Sequence, residues 1–226
     1  MRKITIAIDG FSSTGKSTLA KELAKHLGYA YVDTGAMYRA VALFAMQKGY
    51  ISNPFFDVQS LISSLPFIKL VFKFNSDLGF AEMYLNDVNV EKEIRTIEVS
   101  NYVSKVAEIP DVRSKLVEQQ QQMGKNKGIV MDGRDIGTVV FPDAELKIFM
   151  TASANTRAQR RYDELIQKGD QVTFDEVLKN VEERDYIDTH REDSPLVKAD
   201  NAIEIDNSHI SKKEQFEMVL KLIKID

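Results

Sequence analysis

The sequence predicts an α/β fold in three layers, with a mostly parallel central sheet between two layers of helices. Two observations carry this. Short apolar, β-branched runs near residues 3–8, 29–32, 128–132, 146–150 and 202–206 are separated by segments with helical spacing of apolar residues. Strands that alternate with helices pair in parallel and are covered on both faces. Second, Gly10-Phe11-Ser12-Ser13-Thr14-Gly15-Lys16-Ser17 reads G-x-x-x-x-G-K-S without a mismatch. It lies between the first β run and a helical pattern of Leu19, Leu23 and Leu27. That strand–loop–helix setting is the mark of a phosphate-binding loop.

The chemistry of the loop follows from its residue types. Gly10 and Gly15 allow backbone angles and close approaches that a Cβ would obstruct, so N–H groups from Ser12, Ser13, Thr14, Gly15 and onward converge on phosphate oxygens. The positive helix end at Lys16, Ser17 and Thr18 points at the same anion. Lys16 reaches the transferring phosphates and the Ser17 hydroxyl is the expected ligand of Mg²⁺. The implied ligand is a nucleoside triphosphate.

Composition sets bounds. The 226 residues suit one α/β domain with insertions, and 43% apolar with 28% charged residues is ordinary for a chain with a real core. A net charge of −4 argues against non-specific nucleic-acid binding. With no cysteine, disulfides, zinc thiolates and thiol nucleophiles are excluded. The apolar run behind Arg2 and Lys3 stops at Asp9, too short for a signal peptide, and no run of about 18 apolar residues occurs. A cytoplasmic, soluble protein is expected.

In order, strand 3–8 leads into a helix over 15–27 with Gly28 as C-cap. Strand 29–32 ends at Asp33, and a helix follows to Gly49 with Thr34 as a candidate N-cap. Residues 50–65 are mixed and mainly helical, interrupted by Pro54 and Pro66. The β-rich stretch 67–86, with turns at 75–79 and 86–87, predicts an antiparallel hairpin inserted on the core sheet. Residues 96–123 form a helix in two pieces divided near Pro110, with Val99, Val103, Val106, Val112 and Leu116 as its apolar stripe and Gln119 to Gln122 as a solvated end. Strand 128–132 ends in Asp132, followed by Gly133-Arg134-Asp135. Strand 146–150, a basic helix, the Gly169 break, a charged helix over 174–188, strand 202–206 and a closing helix over 211–224 complete the pattern. Asp9, Asp33, Asp132 and the 133–135 turn fall at strand carboxyl ends, where such sheets bind ligands.

Binding a triphosphate does not name a reaction, but the arginines narrow it. Arg39, Arg95, Arg113, Arg134, Arg157, Arg160, Arg161, Arg184 and Arg191 lie near predicted strand ends and loops of an acidic chain. Guanidinium suits bidentate phosphate recognition, and several around a dry phosphoryl group neutralise charge in transfer. Arg157, Arg160 and Arg161, at i, i+3 and i+4, present one basic face. Either they pair with Asp163 and Glu164, or they form a mobile lid that closes on ATP and excludes water.

The phosphate loop, Asp33-Thr34-Gly35-Ala36-Met37-Tyr38-Arg39, Glu93-Ile94-Arg95-Thr96, the segment from Asp132-Gly133-Arg134-Asp135 to Pro142, and Arg184-Asp185 with Asp188 and Arg191 together resemble the bacterial cytidylate kinases, over essentially the whole chain. The resemblance implies a single P-loop kinase domain: a core of about 1–37, 103–155 and 168–226, a monophosphate-binding region of about 38–102 with its β insertion near 67–86, and a lid of about 156–167. It implies that Arg39, Arg134 and Arg191 hold the CMP phosphate, with Thr34, Tyr38 and Arg95 also among the substrate-binding residues. Ser104, Arg113 and Asp135 would meet cytosine, and Arg184 and Asp188 the sugar. A carboxylate accepts from the exocyclic amine of cytosine but repels the oxygen of uracil, which fits Asp135. Arg157 would touch ATP, and Lys16, Arg160, Arg161 and Asp132 would act in the transfer.

ATP and Mg²⁺ are the expected co-substrate and metal, small nucleotides the only expected partners, with no nucleic acid or membrane and a monomeric state. Whether Asp9 or Asp132 orders the metal stays open. Phe11 and Ser13 depart from the proline and second glycine usual in that family, and Tyr186, Ile187, Thr189 and His190 from its more charged residues. Two rivals remain: a P-loop kinase for another monophosphate such as UMP, and a guanine-nucleotide switch. The switch lacks its Asn-Lys-x-Asp signature, since Asn126-Lys127 is followed by Gly128-Ile129. A pure interaction module leaves the arginines without a purpose.

Overall fold

The computed structural model describes residues 3–77 and 79–223. Residue 78, inside the hairpin expected at 67–86, and residue 224, at the end expected for the closing helix, lie outside them. The chain divides into two compact units, Met1–Ala30 with Asn126–Asp226, and Tyr31–Lys125. It runs through β1 (Thr5–Gly10), α1 (Lys16–Leu27), β2 (Ala30–Asp33), α2 (Thr34–Gln47) and α3 (Val58–Ser64). Next come β3 (Leu70–Asn75), β4 (Phe80–Leu85), β5 (Val88–Asn89), α4 (Ile97–Ala107) and α5 (Pro110–Gly124). β6 (Ile129–Gly133), β7 (Leu146–Thr151), α6 (Ala154–Gln167), α7 (Phe174–His190), β8 (Ile203–Asp206) and α8 (Lys212–Leu222) complete it.

The first unit is organised around β1, every residue of which is buried. It pairs in parallel with β6 on one side and β7 on the other, and β8 pairs in parallel with β7. The sheet order is β2-β6-β1-β7-β8, and β2 enters through its first residue, the Ala30 N–H donating to the Gly128 carbonyl at 2.9 Å. A strand covered on both faces needs an unbroken apolar run, which Ile6, Ala7 and Ile8 supply. β1 extends two residues beyond its expected end at Ile8, because Asp9 still has Gly133 as partner and Gly10 still has Met150. Asp9, Gly10, Asp132 and Gly133 thus line one rim, at the carboxyl ends of the strands. Gly28 ends α1 at φ 65°, its N–H returned to the Ala24 carbonyl, as expected.

In the second unit Asp33, rather than Thr34, caps α2: its Oδ1 accepts the Ala36 N–H at 2.9 Å, and Thr34 is the first helical residue. A carboxylate at that position also meets the positive end of the helix. The β insertion is a separate antiparallel sheet of order β3-β4-β5 rather than an addition to the core sheet. Leu70, Met83 and Leu85 point from it into a core shared with Val99, Val103, Val106, Val112 and Leu116, the predicted stripe of α4 and α5. The polar end of α5 is not solvated throughout. Gln120 is 1% exposed with its amide on the Met37 sulfur at 3.8 Å, and the Gln119 amide donates to the Leu70 carbonyl at 2.7 Å.

Candidate active site

The phosphate loop turns through three left-handed positions, Gly10 at φ 142°, Ser13 at 58° and Gly15 at 86°. A Cβ on Gly10 would stand 2.0 Å from the Met150 carbonyl oxygen, so that glycine is obligatory. Ser13 holds a conformation that favours glycine, at a cost of about 1–2 kcal/mol. The loop is braced by its own carbonyl at Phe11, which accepts from the Thr14 hydroxyl at 2.9 Å and from Lys16 Nζ at 2.5 Å. The Phe11 ring meets Phe149 edge-on at 6.2 Å and carries the Arg157 guanidinium 5.1 Å from its centre. An aromatic residue at this position therefore fastens the loop to β7 and α6.

Burial holds the Lys16 ammonium well below the usual lysine pKa, and the Arg134 charge pushes the same way, against Asp132, Asp9 and Asp188. Arriving phosphates would supply the missing negative charge. Ser12 adds a buried hydroxyl oxygen with no hydrogen-bond partner of its own. These features fit a polyphosphate.

The two rim carboxylates have different surroundings. Asp132 Oδ2 accepts the Ser17 hydroxyl at 2.9 Å, joining the loop serine to the end of β6. Asp9 instead gives both oxygens to backbone N–H groups, of Ile136 and Gly137, each at 2.7 Å. These belong to a single π turn, Ile136–Val140, entered by the buried Asp135. Burial is the main force pushing the Asp9 carboxyl up to about 7, helped by the Asp135 charge, while the two N–H donors and Lys16 oppose it. Asp9 thus braces the turn behind Asp135. No group of three or more His, Cys, Asp or Glu suited to a metal occurs among the described residues. The Ser17 hydroxyl and the Asp132 carboxylate are the oxygen donors here that would suit a magnesium ion.

Farther along, Arg134 Nε donates to Asp188 Oδ2 at 2.7 Å, and Arg191 Nη1 lies 4.0 Å from Asp188 Oδ1. Arg191 also donates through Nε and Nη2 to the Ser194 carbonyl, at 2.8 and 2.6 Å. Burial alone would raise the Asp188 carboxyl, but Arg134, Arg184 and Arg191 bring it below the ordinary carboxylate value. Asp135, Arg134, Arg184, Asp188 and Arg191 all belong to this first unit, with the phosphate loop.

The three arginines of α6 do not form one basic face. Arg157 is buried, forks onto Asp185 at 2.9 and 2.6 Å, and donates from Nε to the Ala152 carbonyl at 2.9 Å. Arg161 pairs with Glu164 at 3.0 Å. Arg160 turns the other way, to Asn207, with Nη1 on the side-chain oxygen and Nη2 on the backbone oxygen, both at 2.9 Å. Helical spacing places the Cα atoms on adjacent rows, but the long side chains follow whichever partner each can reach.

The second unit holds Thr34, Tyr38, Arg39, Arg95, Ser104 and Arg113. Asp33 Oδ2 binds Arg39 at 3.1 Å and Arg95 at 2.7 Å, and Arg95 also grips Glu91 Oε1 at 2.7 Å. Burial would raise the Asp33 carboxyl, but the two arginines hold it far below the ordinary range. Arg113 is buried, donates to the Ala107 carbonyl at 3.3 Å and lies 5.9 Å from the centre of the Tyr38 ring. Thr34 and Ser104 are buried as well. Sequence reasoning had not assigned Asp33, Glu91, Asp185 or Asn207 to these networks. Asp33 was visible at a strand end and Asp185 inside the recognised motif, but nothing local to Asn207 marks it.

A parallel sheet whose first strand feeds a tight G-x-x-x-x-G-K-S loop with left-handed turns, with a buried lysine and a serine–aspartate pair behind it, defines a P-loop protein. A gluconokinase from Sinorhizobium meliloti has a similar fold, with a TM-score of 0.50 at 12% identity over 97% of this chain and 92% of that one. The sequence goes further: residues 6–225 match the cytidylate kinase family, and the chain belongs to that family. A cytidylate kinase from Flavobacterium johnsoniae is 77% identical over 223 residues, covering 99% of this chain and 97% of that protein. One from Phocaeicola vulgatus is 59% identical over 215 residues, covering 95% and 94%.

Proposed function

We infer that the chain transfers the γ-phosphoryl group of ATP to CMP, giving CDP and ADP. The observation that carries this is family membership across nearly the full length, at 77% identity to a cytidylate kinase. The family favours cytidylate over uridylate as acceptor. The acceptor phosphate is already anionic near neutral pH, so the reaction asks for alignment and charge neutralisation rather than a general base.

The loop N–H groups, Lys16 and Thr18 would hold the ATP phosphates, with Arg160 and Arg161 adding charge as the group moves. Mg²⁺, when bound, would supply positive charge that offsets the charge developing on the phosphates. Ser17 and Asp132 are the residues to hold it, a choice supported by their mutual hydrogen bond and by the commitment of Asp9 to the backbone. Arg39, Arg134 and Arg191 are read as phosphate ligands of CMP, with Thr34, Tyr38 and Arg95 beside them. Ser104, Arg113 and Asp135 are read as base contacts, and Arg184 and Asp188 as sugar contacts. Asp188 already faces Arg134, and Asp33 faces Arg39 and Arg95, which supports arginines preset in place for an anionic substrate. Use of dCMP, a cytoplasmic setting and a monomeric state belong to the same reading.

The test is ADP release with ATP, Mg²⁺ and CMP, dCMP, UMP or AMP in turn, on the wild type and Asp135→Ala. CMP and dCMP should far outrun the others, with the preference erased in the variant. ADP formed equally fast without an acceptor would overturn the reading. Activity undiminished by excess chelator would remove the metal from it.

A further inference from the structure

We propose that Asn207 is a positioning residue for phosphoryl transfer, its side-chain amide tying the phosphate loop to Arg160. Asn207 follows β8, is 4% exposed, and is fixed by its own N–H on the Thr151 carbonyl at 3.0 Å. Its amide nitrogen donates to the Thr14 carbonyl at 2.5 Å and to Gln215 Oε1 at 2.7 Å. Both acceptors are oxygens, so they determine which end of the amide faces the loop. The amide oxygen and the backbone oxygen then receive Nη1 and Nη2 of Arg160. One residue therefore joins the loop, α6 and α8.

The residue type matters. The geometry needs two donors and an acceptor on a one-carbon stem, which asparagine alone supplies. Aspartate would turn an oxygen toward the Thr14 carbonyl and neutralise Arg160. Serine falls short, and glutamine is one carbon too long. The nature of the partners matters as well. Arg157 and Arg161 face the carboxylates Asp185 and Glu164, which offset their charges locally. Arg160 is held by neutral oxygens. It uses one N–H of each Nη for Asn207, and keeps Nε–H and the second hydrogen of each Nη for an anion. Of the three predicted lid arginines, it is the one whose charge is both held beside the loop and unspent on a carboxylate.

This rests on the reading that lid arginines stabilise the transferring group, so the experiment separates the two ideas. Steady-state kcat and KM for ATP and for CMP are measured for Asn207→Leu, Arg160→Ala and the double variant. Arg160→Ala should lower kcat by about tenfold to a hundredfold, the range for loss of a charged hydrogen-bonding group. Asn207→Leu should lower kcat about tenfold and raise KM for ATP, with KM for CMP within about twofold of wild type. In the Arg160→Ala background, Asn207→Leu should cost little further kcat, since the group it positions is gone.

Losses that simply multiply in the double variant would overturn the tie between Asn207 and Arg160 while leaving the arginine's role intact. An Arg160→Ala enzyme with wild-type kcat would overturn both. Should Asn207→Leu fail to fold, the isosteric Asn207→Asp serves. It should lower kcat and raise KM for ATP, and wild-type values of both would refute the proposal.

Discussion

Replacing Asp33 by asparagine keeps its size and its helix cap but deletes the charge that two arginines share. Its side chain is 7% exposed, against 17% for Arg39 and 32% for Arg95. Removing one partner of a fully buried ion pair costs about 3–5 kcal/mol. Water reaches both guanidinium groups here and relieves part of that, so about 2–3 kcal/mol is expected. For a chain of this length each kcal/mol moves Tm by about 2–4 °C, giving a fall of about 4–12 °C at pH 7. Asp33→Ala also loses the bond to the Ala36 N–H, and should cost about 1 kcal/mol more.

The pH dependence has a definite sign. Burial raises the Asp33 carboxyl, but Arg39 and Arg95 more than reverse that, so its folded pKa lies below the ordinary 3.8. The stability it contributes is present above that ordinary value and is lost as pH falls through the depressed one. The gap between wild type and Asp33→Asn should be full at pH 7 and should narrow progressively below about pH 4. Thermal melts of the three proteins at pH 7 and in an acid series measure it. A Tm within about 1 °C of wild type at pH 7, or a gap unchanged in acid, would refute the argument.

Gly10→Ala places a methyl group against the Met150 carbonyl. It should yield insoluble protein or protein without ATP binding by calorimetry, and a soluble variant with normal affinity would contradict the geometry. Ser13→Gly relieves the left-handed strain at φ 58° and should raise Tm by about 2–4 °C, as a melt will show. Asp9→Asn addresses a carboxyl raised to about 7, which faces Asp135 and Lys16, with Lys147 packed against the same Gly137. The contribution of a raised acid is present below its ordinary value and is lost as pH rises through the folded one. The denaturant midpoint of the wild type, relative to the variant, should therefore fall between about pH 4 and pH 8, and a constant difference would exclude this titration.

Much of this was determined by sequence alone, because it depends on neighbours in the chain. The continuous apolar run at Ile6–Ile8, the helical spacing of Leu19 and Leu23, the G-x-x-x-x-G-K-S loop and the Gly28 cap are local signals with local causes. The insertion was legible as strands, but not as a sheet of its own, since pairing is chosen by the burial of Leu70, Met83 and Leu85. Tertiary structure decided the partners of the charges. Nothing in the spacing of Arg157, Arg160 and Arg161 says that one reaches Asp185, one Glu164 and one Asn207, which lies 47 residues from Arg160. Nor does it distinguish Asp132, which accepts from Ser17, from Asp9, given over to the backbone. A residue's chemistry is written in its type, but a long charged side chain acquires its role from what the fold brings within about 3 Å.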